Sequence, residues 1–488
     1  MSAAVLGFLR RDRPLRGPVL GVLCAVGFGL VAATSLLPDH TASRASLAVV
    51  LALLVGFVCL WSPRQGVFVA LGWLALVGGI RRVVTTFQVD PDRDPLLLVG
   101  PVAIVVLFAV AAARGCFSGR RGLANGVLAT TVVATLWALH PDQAGLDVGL
   151  GGLLFWGVPM LWFWVGRGIV DRPLARRLVG FVAGIAFLVS VYGLWQALVR
   201  FPSWDRDYIF GRGSSQSLYV GPGTWRPFAT FSSANEYALC TAVGVVLFSL
   251  VLARGVVRRR PLDLVVGAVG VAVTAAALAL SSVRAPLVLL VIVVPVLAVV
   301  RLRRRAVPLL AVGFVLVALT WGVAAQVDPN SLGESGAQGL VRRTVVGIGH
   351  PFDDDRSTAN LHFESLLDGV EQAFTAPLGH GTGSTTRAAA RFGDRARFTE
   401  WDVSDAAVAF GIVGLVLVVF VSVAAFVRVG TRAWSTPDLV NLATLGIMIV
   451  LLRHWWNGGH YFLAPFLWVL VGAIDQPVRV RRRRLARA

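Results

Sequence analysis

Leu262–Val300 reads LDLVVGAVGVAVTAAALALSSVRAPLVLLVIVVPVLAVV. Two apolar runs, Leu262–Ser282 and Arg284–Val300, meet at the hairpin SSVRAP, and their only charges are Asp263 at the start and Arg284 at the turn. Each run has about the 20 residues that cross a hydrocarbon core. Hydrocarbon offers no partner to backbone amides and carbonyls, so runs of this kind cross a bilayer as helices. The segment is a membrane helical hairpin.

Comparable runs lie on both sides of it. Pro18–Leu37, Ala45–Trp61, Gln65–Arg82, Pro95–Ala113, Leu123–His140, Val148–Ile169, Leu174–Val199 and Ala234–Ala253 precede it; Ala306–Ala324, Ser404–Val427, Pro437–Leu452 and His460–Ile474 follow. The expected fold is therefore all-α, a polytopic integral membrane protein of about 14 transmembrane helices, or 12 if one pair merges. Composition agrees. Of 488 residues, 56% are hydrophobic and only 15% charged, with mean hydropathy +0.74, whereas soluble domains carry about 25% charged residues. A soluble enzyme, a disordered chain and a disulfide-stapled secreted domain are excluded.

The net charge is +19, and all 45 basic residues are arginine. Taken alone, that charge points to nucleic acid, but its placement does not. With the N-terminus inside, the inner segments hold 28 arginines against five acids, leaving 17 against 21 outside. This is the bias that sets orientation in an inner membrane, with both termini cytoplasmic. The tail VRVRRRRLAR from Val478 to Arg487 then anchors on anionic lipid, and no nucleic-acid partner is expected. The first run ends in LLPDH without a small-residue cleavage site, so it reads as a retained span. The four cysteines lack metal-ligand spacing.

The chain divides into N-terminal transmembrane helices (1–199), a first outer loop (200–233), central helices (234–324), a large outer loop (325–403) and C-terminal helices with the basic tail (404–488). Inner loops are short and the span centres nearly lack ionisable residues, which ion-coupled pumps place at mid-membrane. Function is therefore expected on the outer face. In the large loop, Thr358–Phe374 reads as an amphipathic helix, with Leu361, Leu366, Leu367, Val370 and Phe374 opposite Glu364, Asp368 and Glu371. It either lies on the membrane surface with the apolar stripe down or packs on the bundle.

Three constellations carry chemistry. In Thr224–Leu239, TWRPFATFSSANEYAL, Arg226 precedes an aromatic-polar run and Asn235–Glu236 at a helix start. A guanidinium forks onto phosphate oxygens, and a helix N-terminus adds positive potential; a loop-ordering pair with Asp205 or Glu236 is the plainer alternative. In Ser281–Pro286, Arg284 stands at the outer interface, where a lone arginine also serves as an anchor. Asp353–Ser384 joins the triplet Asp353–Asp355 to a glycine run lacking the lysine of a nucleotide P-loop. The triplet suits a solvated turn better than a metal, and no His/Cys cluster suggests zinc. The sequence RHWWNGGHYF, with His454 and His460, reads as an aromatic belt.

Taken in order, RPFATFSSAN (Arg226 to Asn235), SVR (Ser282 to Arg284) and DDRSTANLHFESLLDGVEQAFTAPLGHGTG, with Arg356, Gly379, Gly381 and Gly383, resemble the O-antigen ligase and O-antigen polymerase family of bacterial envelope enzymes. The resemblance covers roughly Leu123 to Ile474. It implies a metal-independent, cofactor-free glycosyltransferase. The donor would be a polyprenyl-pyrophosphate-linked oligosaccharide, used at the outer face of the cytoplasmic membrane, and the acceptor a glycan or lipid. The resemblance makes Arg226 and Arg284 the arginines on the pyrophosphate and adds Asn235, Arg356 and Gly381 as substrate-binding residues. The family's usual histidine, eleven residues ahead of a Gly-x-x-Gly, is replaced here by Glu400 ahead of Gly411–Gly414. Glu400 is thereby the candidate that contacts the acceptor hydroxyl, with Asp402 and Asp405 next. A lipid-linked-oligosaccharide flippase and a transferase using a polyprenyl-monophosphate sugar are the rival readings. The first would line its cavity with cations inside the membrane; the second usually has an acid in a substantial first outer loop, which here is only Pro38–Arg44.

Overall fold

The computed structural model describes residues 40–84, 94–210, 218–221, 223–303, 322, 326–328, 331–349, 359–392, 395–397, 399–456 and 461–476. The expected spans Pro18–Leu37 and nearly all of Ala306–Ala324 lie outside them, as do Arg356, Asp353–Asp355, His460 and the basic tail.

The chain is a helical bundle. Its helices are α1 (His40–Trp61), α2 (Pro63–Val84), α3 (Val99–Ala113), α4 (Gly122–Leu136), α5 (Leu146–Ile169), α6 (Arg172–Leu198), α7 (Ser203–Phe210), α8 (Ala234–Arg258), α9 (Pro261–Leu280), α10 (Ala285–Leu302), α11 (Gly336–Gly349), α12 (Ala359–Thr375), α13 (Arg387–Arg391), α14 (Asp402–Ser435), α15 (Leu439–Val450) and α16 (Leu463–Ile474). The strands β1 (Tyr219–Gly221) and β2 (Thr224–Trp225) form an antiparallel ribbon. Among the described residues, ten helices, counting α3 and α4 with their flanking 3₁₀ turns, are long and apolar enough to cross a membrane, and α15 and α16 are shorter apolar helices of 12 residues. This is a multi-pass membrane protein.

Side-chain caps set several helix starts. Ser233 accepts from the Glu236 amide at the head of α8 (3.2 Å), Asp171 from Leu174 at α6, and Asp438 from Val440 and Asn441 at α15. Asp171 and Asp438 also pair with Arg64 and Arg172, so each acid answers both a helix end and an arginine.

Between helices, small residues permit close packing, as in membrane bundles generally. A methyl added at Gly166 of α5 would stand 2.2 Å from the Val469 carbonyl of α16, and one at Gly472 would stand 2.0 Å from that of Phe163. The core around this contact is aromatic: Trp156, Trp162, Phe163, Trp164, Trp455, Trp456 and Trp468 are all buried. By contrast α9 and α10 keep Val265, Val269, Val288, Val291 and Val294 exposed, a surface suited to lipid.

Both segments expected as long loops contain regular elements among their described residues. The first holds α7 and the ribbon; the second holds α11 and α12. Helix α12 matches the expected amphipathic segment within one residue at each end, and it uses both faces. Its small-residue side packs on α14, where a methyl at Gly369 would meet Ser404 Cβ at 2.6 Å. The remaining face leaves Leu361, Phe363, Leu367 and Phe374 exposed.

Candidate functional site

Arg226 follows β2 directly, and its amide donates to the Leu218 carbonyl (2.8 Å). Thr224 Oγ1 ties the ribbon to the head of α11, donating to the Glu334 carbonyl and accepting from the Gly336 amide (3.2 and 3.1 Å). The chain after Arg226 is held from beneath. Buried Arg82 pairs with Asp205 (2.7 Å) and donates to the carbonyls of Phe231 and Ala229. Gln196 Oε1 accepts the amides of Phe228 and Ala229, while Tyr192 and the Gln196 amide both donate to Asp205. Phe228 stacks on Phe201 at 5.8 Å, and the Arg82 guanidinium lies over the Phe228 ring, 4.7 Å from its centre. Breaking a buried ion pair of this kind costs about 3–5 kcal/mol. The network holds Ala229 at φ +47, a left-handed conformation that a side chain resists.

Arg284 is held by a comparable device. Ser281 Oγ donates to the Leu278 carbonyl (2.7 Å) and accepts the Val283 amide (3.2 Å), closing the turn between α9 and α10. Ser282 takes φ +57, so a strained non-glycine residue stands near each of the two arginines. The Arg284 guanidinium lies against Gly347 of α11: an added methyl there would fall 1.8 Å from Nη1 and 2.5 Å from Cζ. One turn earlier on α11 is Arg343.

These three arginines feel one another. Burial first, then Arg343 and Arg284, push the Arg226 pKa down to about 10. Burial and Arg343 lower that of Arg284. Concentrated like charge in a half-buried site is relieved when an anion binds. Arg226 and Arg284 thus lie within electrostatic reach of each other, and α11 brings a third cation near them.

A second cluster adjoins. The carboxylate of Glu400 meets His362 Nδ1 of α12 and Arg453 Nη2 (3.3 Å), and Arg453 also donates to the Glu400 carbonyl (3.2 Å). The Arg453 guanidinium lies 4.7 Å above the Trp401 ring. Burial, then Arg453 and Arg284, hold the His362 pKa below the ordinary histidine value, against the opposite pull of Glu400. A neutral imidazole beside a carboxylate and within the field of Arg284 can accept a proton at neutral pH. Sequence reasoning passed over His362 and Arg343. The signal for His362 was present: Ser365, Gly369 and Ala373 make a small-residue stripe on α12 that foretells close packing, and His362 lies one turn before it.

Gly381 and its neighbours are engaged in mending a helix. Helix α14 breaks at Gly411, whose φ is +64. The Val408 and Ala409 carbonyls on one side accept the amides of His380 and Gly381 (3.0 and 2.9 Å), and the Ile412 amide donates to the Pro377 carbonyl (3.1 Å). The backbone groups freed by the break are satisfied by PLGHG, so the amide of Gly381 is already committed. Asn235 sits half-buried in the first turn of α8, two residues past its cap. Among the described residues no group of three or more His, Cys, Asp or Glu could hold a metal ion.

No family model matches the chain. A stretch making up 18% of it is 36% identical, over 95 residues, to a UPF0060 membrane protein of Cupriavidus pinatubonensis and covers 87% of that protein. Over that stretch the chain belongs to the UPF0060 membrane proteins. The relative's name assigns it to a membrane and to no reaction, which accords with the apolar helices and leaves the arginine and histidine clusters to speak for function.

Proposed function

We propose that this protein is a membrane glycosyltransferase that polymerises or ligates a polyprenyl-pyrophosphate-linked glycan at the outer face of the cytoplasmic membrane. The observation that carries the reading is that Arg226 and Arg284, from separate elements, are half-buried within electrostatic reach of each other, with the exposed Arg343 of α11 acting on both. The arginine bias of the sequence supports an outer position for that end of the bundle and cytoplasmic termini, and the apolar runs Pro18–Leu37 and Ala306–Ala324 would bring the spans to fourteen.

In this reading the three guanidiniums hold the donor pyrophosphate and stabilise the charge that develops as it leaves. The acceptor hydroxyl oxygen attacks the sugar C1. The C1–O bond to phosphate breaks, and its electron pair departs with the polyprenyl pyrophosphate. The hydroxyl proton passes to His362, with Glu400 orienting the ring and steadying the imidazolium. Glu400 then acts through His362, and Arg453 fixes Glu400. The exposed apolar stripe of α12 rests on membrane lipid. Three cations supply the positive charge that a divalent ion would bring, so turnover should survive EDTA.

The test is purified protein in lipid nanodiscs, supplied with a polyprenyl-pyrophosphate oligosaccharide, with polyprenyl pyrophosphate measured as product. Release that depends on Arg226 and Arg284 and persists in EDTA supports the proposal. Intact donor, or release restored only by magnesium or manganese, overturns it.

A further inference from the structure

A cavity of about 870 Å³ opens at the same end of the bundle and does not include the arginine cluster. It is within the usual range for ligand sites. It descends along α5 from Asp147 to Trp162, a helix rise of about 22 Å. Its lining is mixed. Leu97, Leu98, Ile104, Leu150, Leu154 and Val158 supply apolar lining from α3, its flanking turn and α5; Glu236, Thr385, Arg387, Asp402 and Asp405 supply polar lining from α8, α14 and the segment around α13.

Three polar atoms of lining residues are buried without a hydrogen-bond partner: Glu236 Oε1, Thr385 Oγ1 and Arg391 Nε. Glu236 and Thr385 are each only 2% exposed. A buried polar group left unsatisfied costs about 1–3 kcal/mol, so three around one space point to a missing occupant. Together they offer an acceptor, a hydroxyl and a donor, the set that sugar hydroxyls complement. The lining holds five acids against three arginines, and the Asp94–Arg81 pair at 2.9 Å takes one of each, leaving four acids against two arginines. That excess of carboxylate disfavours a phosphate and favours neutral hydroxyls.

We propose that this chamber binds a glycolipid, with its polyhydroxylated headgroup on Glu236, Thr385 and Arg391 and its alkyl chain along the apolar lining from α3 and α5. That this lipid is the acceptor rests on the transferase reading; its binding does not. Thr399, Asp402 and Asp405 line the chamber within five residues of Glu400, so a headgroup hydroxyl at that end lies beside the His362 cluster.

The experiment uses the full chain in nanodiscs with dodecyl maltoside carrying a diazirine on its alkyl chain, and with dodecylphosphocholine labelled in the same way. The expected result is saturable maltoside labelling of the α3 and α5 peptides, competed by plain dodecyl maltoside and not by dodecylphosphocholine. Glu236→Leu removes the carboxylate without adding a polar group and should weaken half-saturation about tenfold or more. Leu154→Trp fills space along the apolar lining and should abolish the label by a different route. Arg226→Ala should leave labelling unchanged while stopping donor turnover, so the chamber and the transferase reading can fail separately. Equal labelling by both probes, label confined to α12, or no response to either chamber variant would overturn the proposal.

Discussion

Gly347→Ala tests the site through a single methyl. The new Cβ would stand 1.8 Å from Arg284 Nη1, against 3.4 Å for ordinary contact. The guanidinium must therefore retreat by about 1.6 Å, the difference of the two. The obstructed atom is the end of a flexible side chain, so the fold gives way cheaply. Alanine is also the better helix former, by up to about 1 kcal/mol. Stability should hold or rise slightly. Catalysis should not, since misplacing a positioning group by about 1 Å can cost 10²-fold. The assay is release of polyprenyl pyrophosphate in nanodiscs, with thermal unfolding measured on the same preparation. Gly184→Ala on α6 is the control: nothing lies within 4 Å of its added methyl, and both readouts should stay at wild-type values. A folded Gly347→Ala protein with turnover within about threefold of wild type would refute the role given to Arg284.

Arg343→Ala should cut turnover by about 10²-fold or more, the usual loss on deleting one electrostatic stabiliser, while Arg343→Lys recovers part of it without the fork. Turnover should rise with pH through the His362 pKa, because the base works neutral; that pKa is lowered, so the limb falls on the acid side of the ordinary value of 6.5, and His362→Gln should erase it. Glu400→Gln removes the carboxylate that favours imidazolium, so the limb should move further to acid while turnover drops about 10²-fold; normal turnover with an unmoved profile would leave Glu400 a plain partner of Arg453. Gly411→Ala should lower the unfolding temperature, since φ is +64 and the added methyl would meet the Pro377 carbonyl at 2.0 Å, a left-handed strain worth about 1–3 kcal/mol before the clash. Unchanged thermal unfolding would deny the mended break in α14 its structural weight.

The spans were legible because hydrocarbon imposes a single demand, a long apolar run, that needs no partner to be seen. The break in α14 was hidden for the same reason. AVAFGIVGLV is apolar throughout and reads as uninterrupted helix; what splits it is a carbonyl at Pro377 and two amides at His380 and Gly381, some thirty residues away. Its Gly-x-x-Gly looks like a packing motif, and only the left-handed φ at Gly411 shows that the first glycine is a hinge. The neighbouring PLGHG run was tied to substrate only through the family resemblance, since by itself it lacks the lysine of a nucleotide loop. Here its amides are already committed to α14.

The arginines divide in the same way. Arg284 stood out because it lies where short outer segments normally avoid positive charge, and Arg226 because an aromatic-polar run and a helix start follow it. Arg343 had no such mark: GLVRRTVVG is one helix in a long loop, and nothing local distinguishes Arg343 from Arg342, which pairs with Glu334 at 2.6 Å. The difference is a rotation of one residue on α11: Arg342 faces Glu334, while the exposed Arg343 acts electrostatically on Arg226 and Arg284, and Gly347 lies against Arg284. That rotation is fixed at the helix start, where Thr224 bonds the Glu334 carbonyl and the Gly336 amide. The strand carrying Arg226 therefore also sets the register of the helix carrying Arg343. If the three act as one anion site, cutting this tie should weaken the site without removing any charge. Thr224→Val keeps the shape and loses the hydroxyl; it should lower turnover less than Arg343→Ala, and Arg343→Ala in that background should cost less than it does alone, because residues serving one site are not additive. Fully additive losses would mean that the ribbon and α11 act independently.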